Sequence, residues 1–64
     1  MAISLKAARI NAGLTQVQAA KALGVNKHTL ANYEAYRTSP DMATGNKIAE
    51  LYGLTVDAIA WAQS

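Results

Sequence analysis

The sequence contains no cysteine and no phenylalanine, a single histidine and a single proline, and few charged residues. Without cysteine there are neither disulfides nor thiolate metal ligands, so side-chain packing alone must stabilise the fold. His28 alone provides too few ligands to hold a metal ion. We therefore expect neither a metal nor any other cofactor. No apolar run approaches the roughly 18 residues of a membrane helix, so no membrane contact is expected.

The composition predicts one folded domain, residues 1–64. Hydrophobic residues make up 52% of the chain and charged residues 16%, a balance too apolar for a disordered segment. Fourteen alanines favour helices that approach one another closely. Lys6 and Arg9 interrupt the apolar stretch at the N-terminus, which therefore lacks the pattern of a secretory signal, and we expect a cytoplasmic protein.

Charge is distributed unevenly along the chain. Residues 1–33 carry four basic side chains and no carboxylate, whereas residues 34–64 carry two basic side chains and all four acids. The first half is therefore electropositive, which suits a polyanionic partner such as nucleic acid.

Capping and turn residues predict five helices. Ser4, Asn26, Asp41 and Thr55 are suitable N-caps, Thr15 and Gln18 have capping-box spacing, and Gly13, Gly24 and Gly53 are typical of helix ends. The predicted helices cover about 5–12, 16–23, 27–34, 42–52 and 56–62. Gly45 lies inside the fourth helix, where glycine weakens helical structure.

Residues 16–35 have the outline of a helix-turn-helix. Ala20 is small where the two helix axes must cross, and Gly24 supplies the turn. Leu30 and Tyr33 share one face of the second helix, while its opposite face is polar. That polar face is free for solvent or for a partner.

The chain resembles the Cro and lambda-type phage repressors, the XRE-like helix-turn-helix DNA-binding family. The resemblance rests on L-T-Q-x-x-x-A-x-x-L-G-V at 14–25, T-L-x-x-Y-E at 29–34, Ser39-Pro40, and L-Y-G-L-T-V-D-A-I at 51–59. It implies an all-α fold, a compact five-helix lambda-repressor-like domain that binds operator DNA as a dimer with helix 3 in the major groove.

The resemblance also implies individual roles. Its base-reading positions are occupied by Lys27, His28 and Asn32, and Thr29 adds a contact with a thymine methyl group or a phosphate. The candidate phosphate contacts are Gln16, Asn26, Arg37, Thr38 and Ser39. Arg9 and Glu34 match a structural ion pair, so Arg9 is not counted as a DNA contact.

Two positions depart from the family pattern. Tyr36 replaces a common glycine, and because a non-glycine residue resists positive φ, the turn after helix 3 is expected to differ from that of the family. Gly45 replaces a usual leucine.

Some side chains have two interpretations. His28 contacts DNA or is an exposed residue without a role, and Lys6 lies near a phosphate or only in solvent, whereas Lys21 is taken as a solvated lysine. Trp61, Tyr52 and Ile59 complete the core or anchor a dimer, with Ile10 and Val17 as weaker interface candidates.

The predicted function is that of a sequence-specific double-stranded DNA-binding transcriptional regulator, a phage or prophage Cro-like repressor that blocks polymerase at a near-palindromic operator. A weak homodimer, strengthened on DNA, is expected at the nucleoid of a bacterial host. The alternative is a protein-interaction module such as an antitoxin, although the toxin-wrapping segment typical of antitoxins is not expected in this chain. An enzyme with a small-molecule substrate is not expected, because His28 has no catalytic partner.

Overall fold

Four helices and two very short strands form the fold in a computed structural model that describes residues 2–63. The elements are β1 (Ile3–Ser4), α1 (Leu5–Asn11), α2 (Gln16–Leu23), α3 (Lys27–Glu34), α4 (Met42–Tyr52), a 3-10 turn (Val56–Ala58) and β2 (Ile59–Ala60). The strands pair in parallel, with Ile3 opposite Ile59 and Ser4 opposite Ala60.

The helices begin where the capping residues predict. The Ser4, Asn26 and Asp41 side chains each accept a hydrogen bond from a backbone N–H in the first turn of the helix that follows. Thr15 and Gln18 form both bonds of a capping box at the start of α2. The predicted bounds of α2, α3 and α4 are confirmed, and α1 ends at Asn11, one residue before the predicted end.

The fifth helix, predicted for residues 56–62, is wrong. Only residues 56–58 form a 3-10 turn, and Ile59 and Ala60 then pair with β1. Thr55 makes no side-chain capping bond, and a seven-residue helix is marginal without tertiary support. Ile59 is β-branched and becomes 3% exposed in the strand arrangement, which therefore outcompetes the helix.

The core lies where the four helices meet. α2 packs against α3 and α4, and α1 packs against α3 and α4. Leu5, Leu30 and Ile48 are the largest fully buried side chains, and small alanines fill much of the remaining interior. This packing holds α3 by one face only, which positions its other face at the surface.

Candidate nucleic-acid interface

The outer face of α3 carries the polar side chains. Lys27 and His28 are exposed and Asn32 is half-buried, whereas Leu30 is 0% exposed on the inner side of the same helix. His28 and Asn32 are four residues apart and therefore lie one above the other on one face. Thr29 is half-buried at the edge of this surface. The four candidate base-reading residues thus come together on one helix, around an exposed patch.

A mostly buried ion pair holds the end of α3 in place. Arg9 Nε lies 2.7 Å from Glu34 Oε2, and the two side chains are 10% and 6% exposed. Arg9 also donates through Nη1 to the Leu14 carbonyl, at 2.8 Å. The structure therefore contains the ion pair that the resemblance implied, and it ties α1 and the start of the helix-turn-helix to the end of α3.

Gln16, a candidate phosphate contact, also belongs to this partly buried network. Its Nε2 donates to Glu34 Oε1 at 3.1 Å, across the helix-turn-helix. A primary amide has a second N–H and an acceptor oxygen, so this bond leaves one donor and the oxygen for another partner. The contact holds α2 and α3 together at the protein surface.

Asn26 has two chemically distinct ends. Its Oδ1 accepts from the His28 backbone N–H at 2.8 Å and caps α3. The side chain is exposed, and its Nδ2 amide can donate to a further acceptor. The cap and a phosphate contact are therefore compatible in one residue.

The loop after α3 presents the other candidate phosphate contacts. Arg37, Thr38 and Ser39 are all exposed. Tyr36, which precedes them, has φ of +59°, the left-handed conformation that glycine usually supplies. The expectation that the turn would avoid positive φ is wrong. The cost of this conformation is offset by hydrogen bonds of the Tyr36 hydroxyl, which the sequence did not reveal.

The three candidate dimer residues have different environments. Tyr52 and Ile59 lie in the core, 7% and 3% exposed, and offer a second subunit little surface. Trp61 is half-buried, and its Nε1 donates to the Val56 carbonyl at 2.9 Å. Ile10 and Val17 are exposed on α1 and α2.

Trp61 forms one wall of an open groove that sequence reasoning missed. Its ring packs next to Gly45, where a Cβ atom would lie 3.7 Å from the ring. The groove has a volume of about 210 Å³ and also includes Pro40, Met42 and Val56. The replacement of leucine by Gly45 was the available signal, since a missing side chain inside a helix leaves space for a neighbour.

Burial changes the acidity of one tyrosine in the core. The Tyr52 hydroxyl has no hydrogen-bond partner among residues 2–63. The pKa of Tyr52 is raised to about 12, mainly by burial and secondly by the nearby Glu34 carboxylate, while the Arg9 guanidinium opposes the rise. At the other extreme of exposure, hydrogen bonds from Thr44 to the capping carboxylate lower the pKa of Asp41.

The described residues contain neither a candidate metal site nor a candidate membrane-spanning helix. Between residues 2 and 63, no three histidine, aspartate or glutamate side chains form a group able to hold a metal ion. None of the helices in that range combines the length and apolarity needed to cross a bilayer.

The fold and the outer face of α3 define a helix-turn-helix protein. The helix-turn-helix family matches residues 5–59, which is most of the chain. The chain therefore belongs to the XRE-type helix-turn-helix family, the family that the sequence resembles.

The chain is also similar to an individual curated protein. The chain is 42% identical over 53 residues to the HTH-type transcriptional regulator ImmR of Bacillus subtilis (strain 168). This alignment covers 83% of the chain but only 42% of the length of ImmR. No solved structure gives a significant match.

Proposed function

We propose that this protein is a sequence-specific double-stranded DNA-binding transcriptional regulator that inserts α3 into the major groove. The observation that carries the proposal is the outer face of α3, where Lys27 and His28 are exposed while Leu30 anchors the helix inside. A recognition helix in a helix-turn-helix protein needs this combination of rigid support and a free polar face. The relative ImmR is itself named a transcriptional regulator.

Base recognition is assigned to four side chains. Lys27 donates to guanine O6 and N7, and Asn32 pairs with adenine N6 and N7 through both ends of its amide. His28 donates or accepts at a base edge or a phosphate, and Thr29 contacts a thymine methyl group or a phosphate. Their common location on one helix allows these contacts within a single major-groove segment.

Orientation on the duplex is assigned to five other residues. Gln16 and Asn26 each keep an amide donor free after their internal hydrogen bonds, and the exposed loop adds Arg37, Thr38 and Ser39. Contacts to the phosphate backbone fix the register of a domain but carry little sequence information. These residues therefore contribute to affinity for any duplex.

The finer proposal is a phage or prophage Cro-like repressor that acts by occupying its operator. One domain of this size makes about five or six phosphate contacts, which is weak binding at cellular salt concentration. Two copies on a near-palindromic operator, about one helical turn apart, would bind more tightly and would recognise a longer DNA sequence. Occupancy then blocks polymerase without any chemical step.

The groove beside Trp61 is the surface best suited to a second copy. Met42, at its rim, is 86% exposed and Val56 is 41% exposed, so an apolar projection and an apolar recess share one face. A two-fold axis through this face would place the exposed Met42 side chain of each copy against the groove of the other. Two exposed apolar side chains, Met42 and Val56, are few compared with the roughly 20 to 30 residues a side of a stable interface, which favours a weak dimer that DNA strengthens.

Selection of bound duplexes from a random pool tests the function, and variants of the chain then test the roles. Lys27→Ala and Asn32→Ala should each cost about 1 to 3 kcal/mol on the selected duplex and relax the preference at one base pair. Arg37→Ala should weaken binding to selected and random duplexes equally. It should also reduce the slope of log affinity against log salt concentration by about one. Lys21→Ala removes an exposed lysine of α2 as the matched control.

Recovery of no preferred sequence from the pool would overturn sequence-specific binding. If Lys27→Ala lowered the affinity for selected and random duplexes by the same factor, Lys27 would be a phosphate contact and not a base reader.

A further inference from the structure

All four helices end with the same backbone motif, but one of them uses a tyrosine where the others use glycine. Gly13, Gly24 and Gly53 follow α1, α2 and α4 with φ between +71° and +77°, and Tyr36 follows α3 with φ of +59°. After α3, the Arg37 N–H donates to the Asn32 carbonyl at 3.0 Å and the Tyr36 N–H to the Tyr33 carbonyl at 3.1 Å. Glycine would form this backbone motif with less strain, so the tyrosine side chain has another role.

The Tyr36 hydroxyl connects this turn to both ends of the chain. It donates to the Ala60 carbonyl in β2 at 2.9 Å, and it accepts from the Leu5 N–H at the start of α1 at 3.3 Å. A hydroxyl can donate and accept at once. Tyr36 therefore links the end of α3 to β2 and to the first turn of α1, across 24 and 31 residues of sequence.

The tyrosine lies between two groups of proposed DNA contacts. Asn32 supplies the carbonyl of the motif, and Arg37 supplies the N–H, so the conformation of Tyr36 sets the direction in which the chain leaves α3. Arg37, Thr38 and Ser39 follow directly and are exposed. A loop that is already ordered loses less conformational entropy when it binds.

We propose that Tyr36 is a positioning residue for DNA-backbone binding, whose hydroxyl, bonded to β2 and to the first turn of α1, holds the loop 37–39 in the orientation that contacts phosphates. The proposal rests on the proposed function, because it assumes that this loop contacts DNA. Tyr36 itself need not contact DNA; it acts through Arg37, Thr38 and Ser39.

Two substitutions separate the hydroxyl from the backbone conformation. Tyr36→Phe keeps the ring and removes both hydroxyl bonds, whereas Tyr36→Gly relieves the backbone and removes the whole side chain. Tyr52→Phe is the matched control, because it removes a buried hydroxyl that has no hydrogen-bond partner in residues 2–63. All variants are measured well below their unfolding temperatures, so that only folded molecules are compared.

Hydrogen exchange and DNA binding are the two measurements. In both Tyr36 variants we expect faster amide exchange at Leu5 and at residues 37–39, and unchanged exchange in Tyr52→Phe. Affinity for selected and for random duplexes should fall by the same factor, about three- to tenfold, with a flatter salt dependence. A purely stabilising residue would change the unfolding temperature but neither the salt dependence nor the affinity of the folded molecule.

Wild-type exchange, affinity and salt dependence in Tyr36→Phe would overturn the proposal. Faster loop exchange with unchanged affinity would also overturn it, because the hydroxyl would order a loop that does not contact phosphate. If the wild-type chain binds no duplex at all, the proposed function fails; the exchange measurement then still decides whether the hydroxyl orders the loop.

Discussion

Single side chains in this protein combine a structural role with a proposed recognition role. Asn26 caps α3 with its oxygen and keeps its amide nitrogen for a partner, and Gln16 donates one amide hydrogen to Glu34 while keeping another. Amides suit this dual use because they contain a donor and an acceptor on one planar group. A small protein with few charged residues thereby keeps donors for a partner without burying additional charge.

Asn26→Asp should separate the two roles of that residue. Aspartate keeps the oxygen that caps α3, so we expect the free energy of unfolding to remain within about 0.5 kcal/mol of wild type. It also removes the amide donor and adds a negative charge, so DNA affinity should fall. Thermal unfolding and duplex titration check the pair of effects, and Asn26→Ala is the control that should lose about 1 kcal/mol of stability. Unchanged affinity in the aspartate variant would exclude Asn26 as a phosphate contact.

Tyr52 should make the protein sensitive to alkali. Its pKa is raised to about 12 in the folded chain, above the ordinary value of 10, so folding favours the neutral phenol. The stabilisation is complete below about pH 10 and is lost as the pH rises from 10 to about 12, where the unfolded chain ionises first. Chemical denaturation across this range should show a steeper loss of stability in wild type than in Tyr52→Phe. Equal slopes would contradict the assignment, since the other tyrosines are common to both proteins.

At the scale of elements, α4 is the helix whose sequence fits its structure least well. Gly45 lies in its interior and is buried, yet glycine disfavours helix by roughly 0.5 to 1 kcal/mol relative to alanine. The position is explained by the Trp61 ring, which packs where a larger side chain would lie. The interior of α4 and the segment after β2 therefore depend on each other.

Gly45→Ala and Gly53→Ala should have opposite effects on stability. The new Cβ at position 45 would meet Trp61 at 3.7 Å, an ordinary contact, so we expect stabilisation by about 0.5 to 1 kcal/mol. At position 53 the φ of +71° disfavours alanine, and we expect a loss of about 1 kcal/mol. Denaturant midpoints of the two variants give the comparison. Destabilisation by Gly45→Ala would mean that the Trp61 ring has no room to adjust.

At the scale of the whole molecule, the proposed repressor requires a contact between two copies on one duplex. The proposed contact consists of the groove beside Trp61 and the exposed Met42, and it involves few side chains compared with a stable interface. A linked pair of sites on one duplex raises the effective concentration of the second copy, so a weak contact becomes sufficient.

Met42→Gln should reduce cooperative binding to a palindromic duplex by about tenfold, while binding to a single half-site stays unchanged. Ile10→Gln is the comparison, since Ile10, a weaker interface candidate, is 55% exposed on α1 and does not line the groove; an equal loss there would place the contact on α1 instead. Sedimentation equilibrium with and without duplex measures the association directly. Two copies that bind the palindrome independently in the wild type would contradict the dimer.

Local signals in the sequence were sufficient for α2, α3 and α4, because the N-caps of all three helices and the glycine stops of α2 and α4 act within a few residues. Thr15 and Gln18 form the predicted capping box of α2, and Asn26 forms the predicted cap of α3. Gly24 has the left-handed conformation that its residue type predicts at the end of α2. The polar face of α3 also follows from sequence, since helical periodicity separates Leu30 from His28 and Asn32.

Tertiary structure alone decided the features that depend on contacts between distant residues. The segment 56–62 has helical spacing, but Ile59 gains more from burial opposite Ile3 than a short isolated helix could supply. Tyr36 adopts a conformation that its residue type disfavours, because its hydroxyl finds partners in Leu5 and Ala60. Residue type and spacing specify short-range bonds, whereas pairings across 24 or more residues exist only once the chain has packed.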